Sequence, residues 1–465
     1  MSTSTPGALP PYPEDSAGDL ETAGSDTGDL GVDTGLSTST TSAIAPIWTQ
    51  VGTTEGGRLA TYVRTIGDVD SDGVTELLLT ESGWTPPGEL SEGRHILLSG
   101  NPAASGTPLS TWYDTGSSHS GVQGALVGDF LQDGTTWALL QFAWALAVPV
   151  AVGVNVDLWE SPAPYEFEYA DYEGAFVRHD PSLPETLVLG SILADHSAIC
   201  APPYPLYWSF DVGSGCADIV LTSEGPLSGF AEDAHAAWAA ADGTERLVIE
   251  GAVYAPPDFF PDNDAAVVWF EGEPVDGMTL DEAAGTIWGR KWEDMYLRAV
   301  GDTSGDGVGE IVIGAGELLP STNRNGALFN EPLPGDHEWS EGVARFTIVG
   351  PPFRIGEGIY GADLGDVDQD GYDDLALQMG PRNTAAIFFG PLSGDLDAFD
   401  DASALLTMDE ATGAFNVANF GSQVVGIEDV DGDTIRDLVV SAPLHDEPGK
   451  EDAGALYWYS GADLW

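Results

Sequence analysis

Residues 365–377 read GDVDQDGYDDLAL, a run of aspartates that turns apolar without a pause. Aspartate and glycine both favour turns, so a solvated acidic turn is the plain explanation. It does not explain the spacing. Counting Asp366 as the first position, carboxylates stand at the first, third, fifth and ninth (Asp366, Asp368, Asp370 and Asp374), with Gly371 at the sixth. That order suits wrapping one hard cation in oxygen, since Ca²⁺ takes roughly six to eight oxygen ligands, carboxylates and backbone carbonyls among them. Tyr372, at the seventh position, is placed to offer such a carbonyl, and Gly371 permits the positive-φ turn that returns the later ligands to the ion.

The same spacing recurs. GDVDSDGVTELLL gives Asp68, Asp70, Asp72 and Glu76, with Val74 for the carbonyl. GDTSGDGVGEIVI gives Asp302, Ser304, Asp306 and Glu310, with Val308. EDVDGDTIRDLVV gives Asp429, Asp431, Asp433 and Asp437, with Ile435. Repetition in one register favours a metal over a chance turn, and predicts about four Ca²⁺ ions. These are not EF-hands, which need a bidentate Glu at position twelve and flanking helices. Here position twelve is Leu79, Ile313, Leu377 and Val440, each inside a short apolar run that reads as a buried strand.

Composition bounds the partners. Across 465 residues, 14 Lys and Arg face 76 Asp and Glu, a net charge of −62, which makes nucleic acid and anionic membrane surfaces poor partners. Four Ca²⁺ ions would change −62 only to about −54, so most of the acidity has another source. A salt-rich habitat would mute it, since the Debye length shrinks to roughly 3 Å in molar salt. Hydrophobic residues at 42% suffice for a core, while 59 Gly and 31 Pro imply many turns. Cys200 and Cys216 are compatible with a disulfide or with two thiols. Residues 1–42 carry seven acids, no bases and almost no bulky apolar side chains, so a disordered tether is expected there, without the features of a signal peptide. Such a tether is like that of a bacterial surface lipoprotein, whose export signal would lie outside this sequence. The stretch 137–154, WALLQFAWALAVPVAVGV, is nearly long enough to span a bilayer. Its place after GDFLQDGTT and the breaks at Pro149 and Gly153 favour two buried strands over a membrane-spanning helix.

The loops define a long period. Starts at 302, 366 and 429 are 64 and 63 residues apart, and eroded copies begin at Asp129, Val177 and Trp238, which with Asp68 makes seven units. Each unit reads as four strands: A before the loop, B after it (LLLT, LVLG, LVIEG, IVIGA, LALQ, LVVSA), an aromatic-rich C (HILLSG, LYWSFDVG, AVVWFEG, AAIFFGP, ALYWYSG) and a D. Four-stranded antiparallel sheets repeated about an axis make a β-propeller, so the expected fold is all-β and seven-bladed. The seventh unit lacks a D strand, and the spare strand PIWTQVG at 46–52 would supply it and close the ring.

Residues 420–461, FGSQVVGIEDVDGDTIRDLVVSAPLHDEPGKEDAGALYWYSG, resemble an FG-GAP repeat of the integrin α-chain N-terminal propeller: Phe420-Gly421 matches FG, and Ser441-Ala442-Pro443 matches GAP with Ser for Gly. The resemblance covers residues 43–465, strongly in units one, five, six and seven. It implies a seven-bladed propeller with Ca²⁺ in the A–B loops. Thr434 in place of a sixth-position glycine implies a strained or reshaped turn, and Ser304 is a weaker, neutral ligand. Nothing else in the chain resembles an integrin, and fold alone does not settle function.

Adjacent strands of a blade run antiparallel, so the B–C connections lie on the face opposite the calcium loops. They are long and rich in Pro and aromatics: ESGWTPPGELSEG, ILADHSAICAPPYP, APPDFFPDNDA and APLHDEPGKEDAG. The resemblance implies a partner bound on that face by a monomeric adhesion or ligand-binding module outside the cell, where calcium is high enough for sites of roughly 10⁻⁴–10⁻³ M. Two alternatives stand: a carbohydrate-binding propeller, signalled by Trp84, Tyr204 and Phe259-Phe260, and a polysaccharide-acting enzyme using loop carboxylates. No GxSxG or HExxH motif occurs, and the histidines are scattered.

Overall fold

The computed structural model of the protein describes residues 44–465 except for connecting stretches, most of them between 114 and 234 and including 86–92, 253–264, 318–322, 350–358 and 409–417. The tail 1–42 and Cys216 lie outside the described residues. The ordered structure is β throughout apart from short 3₁₀ turns.

Among the described residues seven sheets follow one another along the chain. The first is built from Leu59–Thr65, Leu77–Glu81, Arg94–Leu98 and Ser110–Tyr113, each antiparallel to the next. The sixth repeats it with Tyr360–Gly365, Asp374–Met379, Thr384–Phe388 and Ala404–Thr407. The seventh takes Val424–Ile427, Asp437–Ala442 and Ala455–Tyr459 from the end of the chain and adds Trp48–Val51 from its beginning, antiparallel to Ala455–Tyr459, with Trp48 opposite Trp458. The strand expected from PIWTQVG is therefore paired where the count of strands required it.

The B strands explain why their sequences are unbroken apolar runs rather than alternating ones. Leu77–Glu81, Asp374–Met379 and Asp437–Ala442 are buried at every residue, because each sheet has a neighbour on both faces. One cluster joins the sixth and seventh sheets around Phe420, Ile387 and Val440. Another joins the fifth and sixth around Phe346 and Phe388, whose rings meet edge-on at 5.3 Å. A third joins the last sheet to the first through Trp458, Val439, Leu77 and Leu79, and the Trp458 indole N–H donates to Gly100 O at 3.0 Å.

Three features depart from the sequence expectation. Four sheets have a fifth strand, added parallel to the D strand: Asn155–Asp157 on the first, Tyr207–Ser209 on the second, Gly335–Glu338 on the fourth and Gly394–Asp397 on the fifth. Each comes from the connection between strands C and D of the next sheet, so the blades are not uniformly four-stranded. These strands cover edges that would otherwise present free N–H and C=O groups. In the third sheet, strand C is His196–Cys200, paired with Thr186–Gly190 and Ala217–Val220, not LYWSFDVG. Residues 207–209 belong instead to the second sheet, which removes Tyr204 from the B–C connection. Finally, the apolar stretch 137–154 forms the strands Trp137–Gln141 and Ala145–Pro149, with the turn between them rather than at Pro149 and Gly153. Pro149 ends its strand opposite Trp137, where the missing N–H is tolerated. Among the described residues no helix is long and apolar enough to cross a membrane.

Candidate metal centres

The four acidic loops sit between strands A and B of the fifth, sixth, seventh and first sheets, and they fold alike. The first-position carboxylate turns inward and accepts two backbone N–H groups from positions five and six. Asp366 takes Asp370 N at 3.1 Å and Gly371 N at 3.0 Å, and Asp68 takes Asp72 N and Gly73 N, both at 3.0 Å. The fifth-position aspartate takes the N–H at position seven, as Asp370 does from Tyr372 at 3.0 Å. The ninth-position carboxylate reaches back from the start of strand B to the N–H at position two: Asp374 to Val367 at 2.7 Å, Asp437 to Val430 at 2.8 Å, Glu310 to Thr303 at 2.6 Å, and Glu76 to Val69.

Two residues per loop are left-handed. At the sixth position Gly73, Gly307 and Gly371 have φ of +94°, +88° and +98°, and Thr434 is forced to +78°, the strain expected of it. The fourth position is left-handed too, at Ser71, Gly305, Gln369 and Gly432. Only two of those are glycine, so sequence alone did not mark this second turn.

Oxygen atoms converge to within 4.8 Å of one another in four sets: Asp68, Asp70, Asp72 and Glu76; Asp302, Asp306 and Glu310; Asp366, Asp368 and Asp374; Asp429, Asp431 and Asp437. Asp370 and Asp433 are outside these sets, although they accept the same position-seven N–H as Asp72 and Asp306 do. All donors are carboxylate oxygens, the chemistry of a hard divalent ion rather than of zinc or copper. The ninth position supplies the test of fit. Glu76 and Glu310 are buried, and one oxygen of each, Oε1, has no hydrogen-bond partner; Ser304 Oγ is buried and unpartnered as well. A buried carboxylate oxygen among other carboxylates is unfavourable without a cation. Burial pushes the Glu76 carboxyl up to about 7 and Asp374 up to about 6, and raises Glu310 and Asp437 too. Asp374 and Asp437 are better satisfied, because their second oxygens accept Gly390 N at 3.0 Å and Gly461 N at 3.1 Å. The residues present are compatible with a bound divalent cation.

The loop beginning at Trp238 has no such cradle. It closes as a tight turn in which Asp242 accepts Thr244 N at 3.0 Å and pairs with Arg246 at 3.3 Å. The corresponding connections at 129–134 and 178–185 lie outside the described residues.

The loops also touch one another through position eight. Asp373 of the sixth sheet accepts Asp302 N of the fifth at 2.8 Å and returns its own N–H to Asp302 O at 2.9 Å. Gly301 has to be glycine, since a Cβ there would stand 2.0 Å from Asp373 Oδ2. Arg436 of the seventh sheet donates to Leu364 O of the sixth at 3.2 Å. Thr75 of the first donates its N–H and hydroxyl to Glu428 of the seventh, both at 3.0 Å. Thus neighbouring loops are tied together, and in the fifth sheet the first-position residue Asp302 is itself held by its neighbour.

Residues 420–458, which include the acidic loop of the seventh sheet, match the FG-GAP repeat family model. Among curated proteins the chain is similar to integrin alpha-4 of Xenopus laevis, 27% identical over 167 residues, covering 34% of this chain and 15% of that one. It is similar to integrin alpha-5 of Xenopus laevis as well, 28% identical over 155 residues, covering 32% of this chain and 14% of the other. The likeness thus spans about a seventh of the relatives' length. Among solved structures, the N-terminal domain of Nup159 aligns over 90% of this chain and 95% of its own, with a TM-score of 0.42 and 8% identity.

Proposed function

We propose that residues 43–465 are a seven-bladed propeller, closed by the pairing of residues 46–52 with the last blade, that binds Ca²⁺ in four loops and serves as a monomeric ligand-binding or adhesion module outside the cell. The unpartnered oxygens of Glu76 and Glu310 within the convergent carboxylates carry the metal reading. The ligands are the loop carboxylates with Ser304, completed by the carbonyls of Val74, Val308, Tyr372 and Ile435. Calcium at a bound loop supplies positive charge that the buried carboxylates need to remain ionised. The chain's own residues shape the cradle: the left-handed turns curl each loop, and Asp373 fixes the first ligand of the fifth-sheet loop, Asp302, against the sixth sheet.

The sites lie at one end of the sheets, leaving the B–C connections at the other for a partner, as the integrin-like resemblance implies. The 443–454 connection is a firm platform for this: Tyr457 and His445 share a hydrogen bond at 3.1 Å, and Gly454 N donates to His445 O at 3.0 Å. The test is adhesion of beads coated with the purified chain to extracellular-matrix proteins and to cell surfaces. Binding that needs calcium and is lost when 446–451 is replaced by a Gly-Ser linker supports the module. Calcium binding without any such adhesion would leave the metal sites standing and remove the adhesive role.

A further inference from the structure

A cavity of about 500 Å³ opens on the first sheet, lined by Trp84, Arg94, Tyr113, Leu109, Thr111 and Asn155 among others. It lies outside the metal loops, and its size falls within the range of small-ligand sites. We propose that it binds a neutral oligosaccharide.

Two aromatic plates shape the cavity. The Trp84 and Tyr113 rings are 5.4 Å apart and inclined at 58°, so they form an open corner rather than a closed stack. The Trp84 backbone is fixed on both sides, its N–H donating to Glu81 O at 3.3 Å and its carbonyl accepting Gly93 N at 2.9 Å. The Arg94 guanidinium lies 4.7 Å from the indole centroid and backs the ring. A half-buried indole held this way offers a flat apolar surface at little entropic cost. The C–H face of a pyranose is the complementary surface. Along the parallel strand pair at the floor, Thr111 stands opposite Asn155, bringing a hydroxyl and a carboxamide to the same wall. Those are groups that can exchange hydrogen bonds with sugar hydroxyls.

Charge narrows the class. Among the described residues Arg94 is the one charged side chain on the lining, and it is committed to Glu81, with Nη2 2.5 Å and Nε 2.6 Å from Oε2. Among the described residues no carboxylate lines the cavity. An anionic glycan would meet a neutralised arginine inside and a chain of net charge −62 outside. An uncharged polyol is penalised by neither. This site is independent of the calcium loops and adds a ligand class to the adhesive role proposed above.

Isothermal titration of the full chain in calcium, with xylohexaose, cellohexaose, mannohexaose and maltohexaose, is the direct test; hexagalacturonate and an oligoproline serve as competitors for the assignment. At least one neutral hexasaccharide should bind with Kd below about 1 mM, and Trp84→Ala should weaken it about tenfold or more. Asn155→Asp, at an exposed position that leaves the fold alone, should weaken it several-fold. Trp84→Phe should recover part of the affinity. The proposal is overturned if no neutral sugar binds, if binding survives Trp84→Ala, or if hexagalacturonate or oligoproline binds in preference. Loss of adhesion with sugar binding intact would fail the module and not this site.

Discussion

Glu76→Gln should stabilise this protein when calcium is absent. Ionised Glu76 is buried beside Asp70 and Asp72 with Oε1 unpartnered, and its carboxyl sits at about 7 rather than the ordinary 4.5. At pH 8 that difference amounts to about 3 kcal/mol against the folded state, less whatever relaxation recovers. Glutamine keeps an oxygen for Val69 N and replaces the orphaned oxygen with an NH₂ that donates to the neighbouring aspartates. In excess chelator at low salt the variant should therefore gain about 1–3 kcal/mol, or roughly 2–4 °C in Tm for a domain of this size. Calcium must erode the gain. At ten times its Kd one site contributes about 1.4 kcal/mol to the wild type, and the curves should cross where calcium exceeds Kd by a factor between about 4 and about 10², according to the size of the gain. Differential scanning calorimetry across a calcium series reads both ends. A variant less stable than wild type in chelator would refute the reasoning, because Glu76 would then be satisfied by something other than a cation.

Other outcomes follow from the same geometry. Raised carboxyls at Glu76 and Asp374 keep their protons in the folded chain at pH values where the unfolded chain has lost them. Calcium-free stability should hence fall as pH rises from about 4 to 7, and the slope should reverse in saturating calcium, as a pH series of melting curves would show. Asp373→Ala frees Asp302 N and should cost about 1 kcal/mol while weakening calcium at the Asp302 loop, detectable by titrating it against the wild type. Thr434→Gly relieves a left-handed threonine at φ +78° and should gain up to about 1 kcal/mol in urea denaturation, with no change expected if the strain is absent. Chelation should lower Tm more than Asp370→Ala does, since that substitution touches one loop of four.

Much of this was legible in the chain. The B strands were visible because burial on both faces demands unbroken apolar runs, and the loops because their carboxylates recur at fixed intervals. Position eight was not. Thr75, Asp373 and Arg436 share a place but no chemistry, since each answers a different neighbour, and Gly309, next to the sheet whose loop lacks the acids, has no side chain at all. The parallel fifth strands were equally hidden, because a strand of three or four residues on a sheet edge needs no alternating pattern. That is why LYWSFDVG passed for a central strand. Its aromatics fit strand C, yet the shorter HSAIC took the place beside Thr186–Gly190.

The pairing of Trp48–Val51 with Ala455–Tyr459 sets the order in which this protein can be made. On a ribosome Trp48–Val51 emerges some four hundred residues ahead of its partner, so it waits unpaired while the sheets between them are made. Contacts of such separation carry a high closure entropy and slow the final step. Each parallel strand defers completion in a smaller way, since a sheet's outer edge is covered only by chain that follows it. Until Ala455–Tyr459 emerges, the nascent chain therefore keeps Trp48–Val51 as an open edge, and that single pairing covers it.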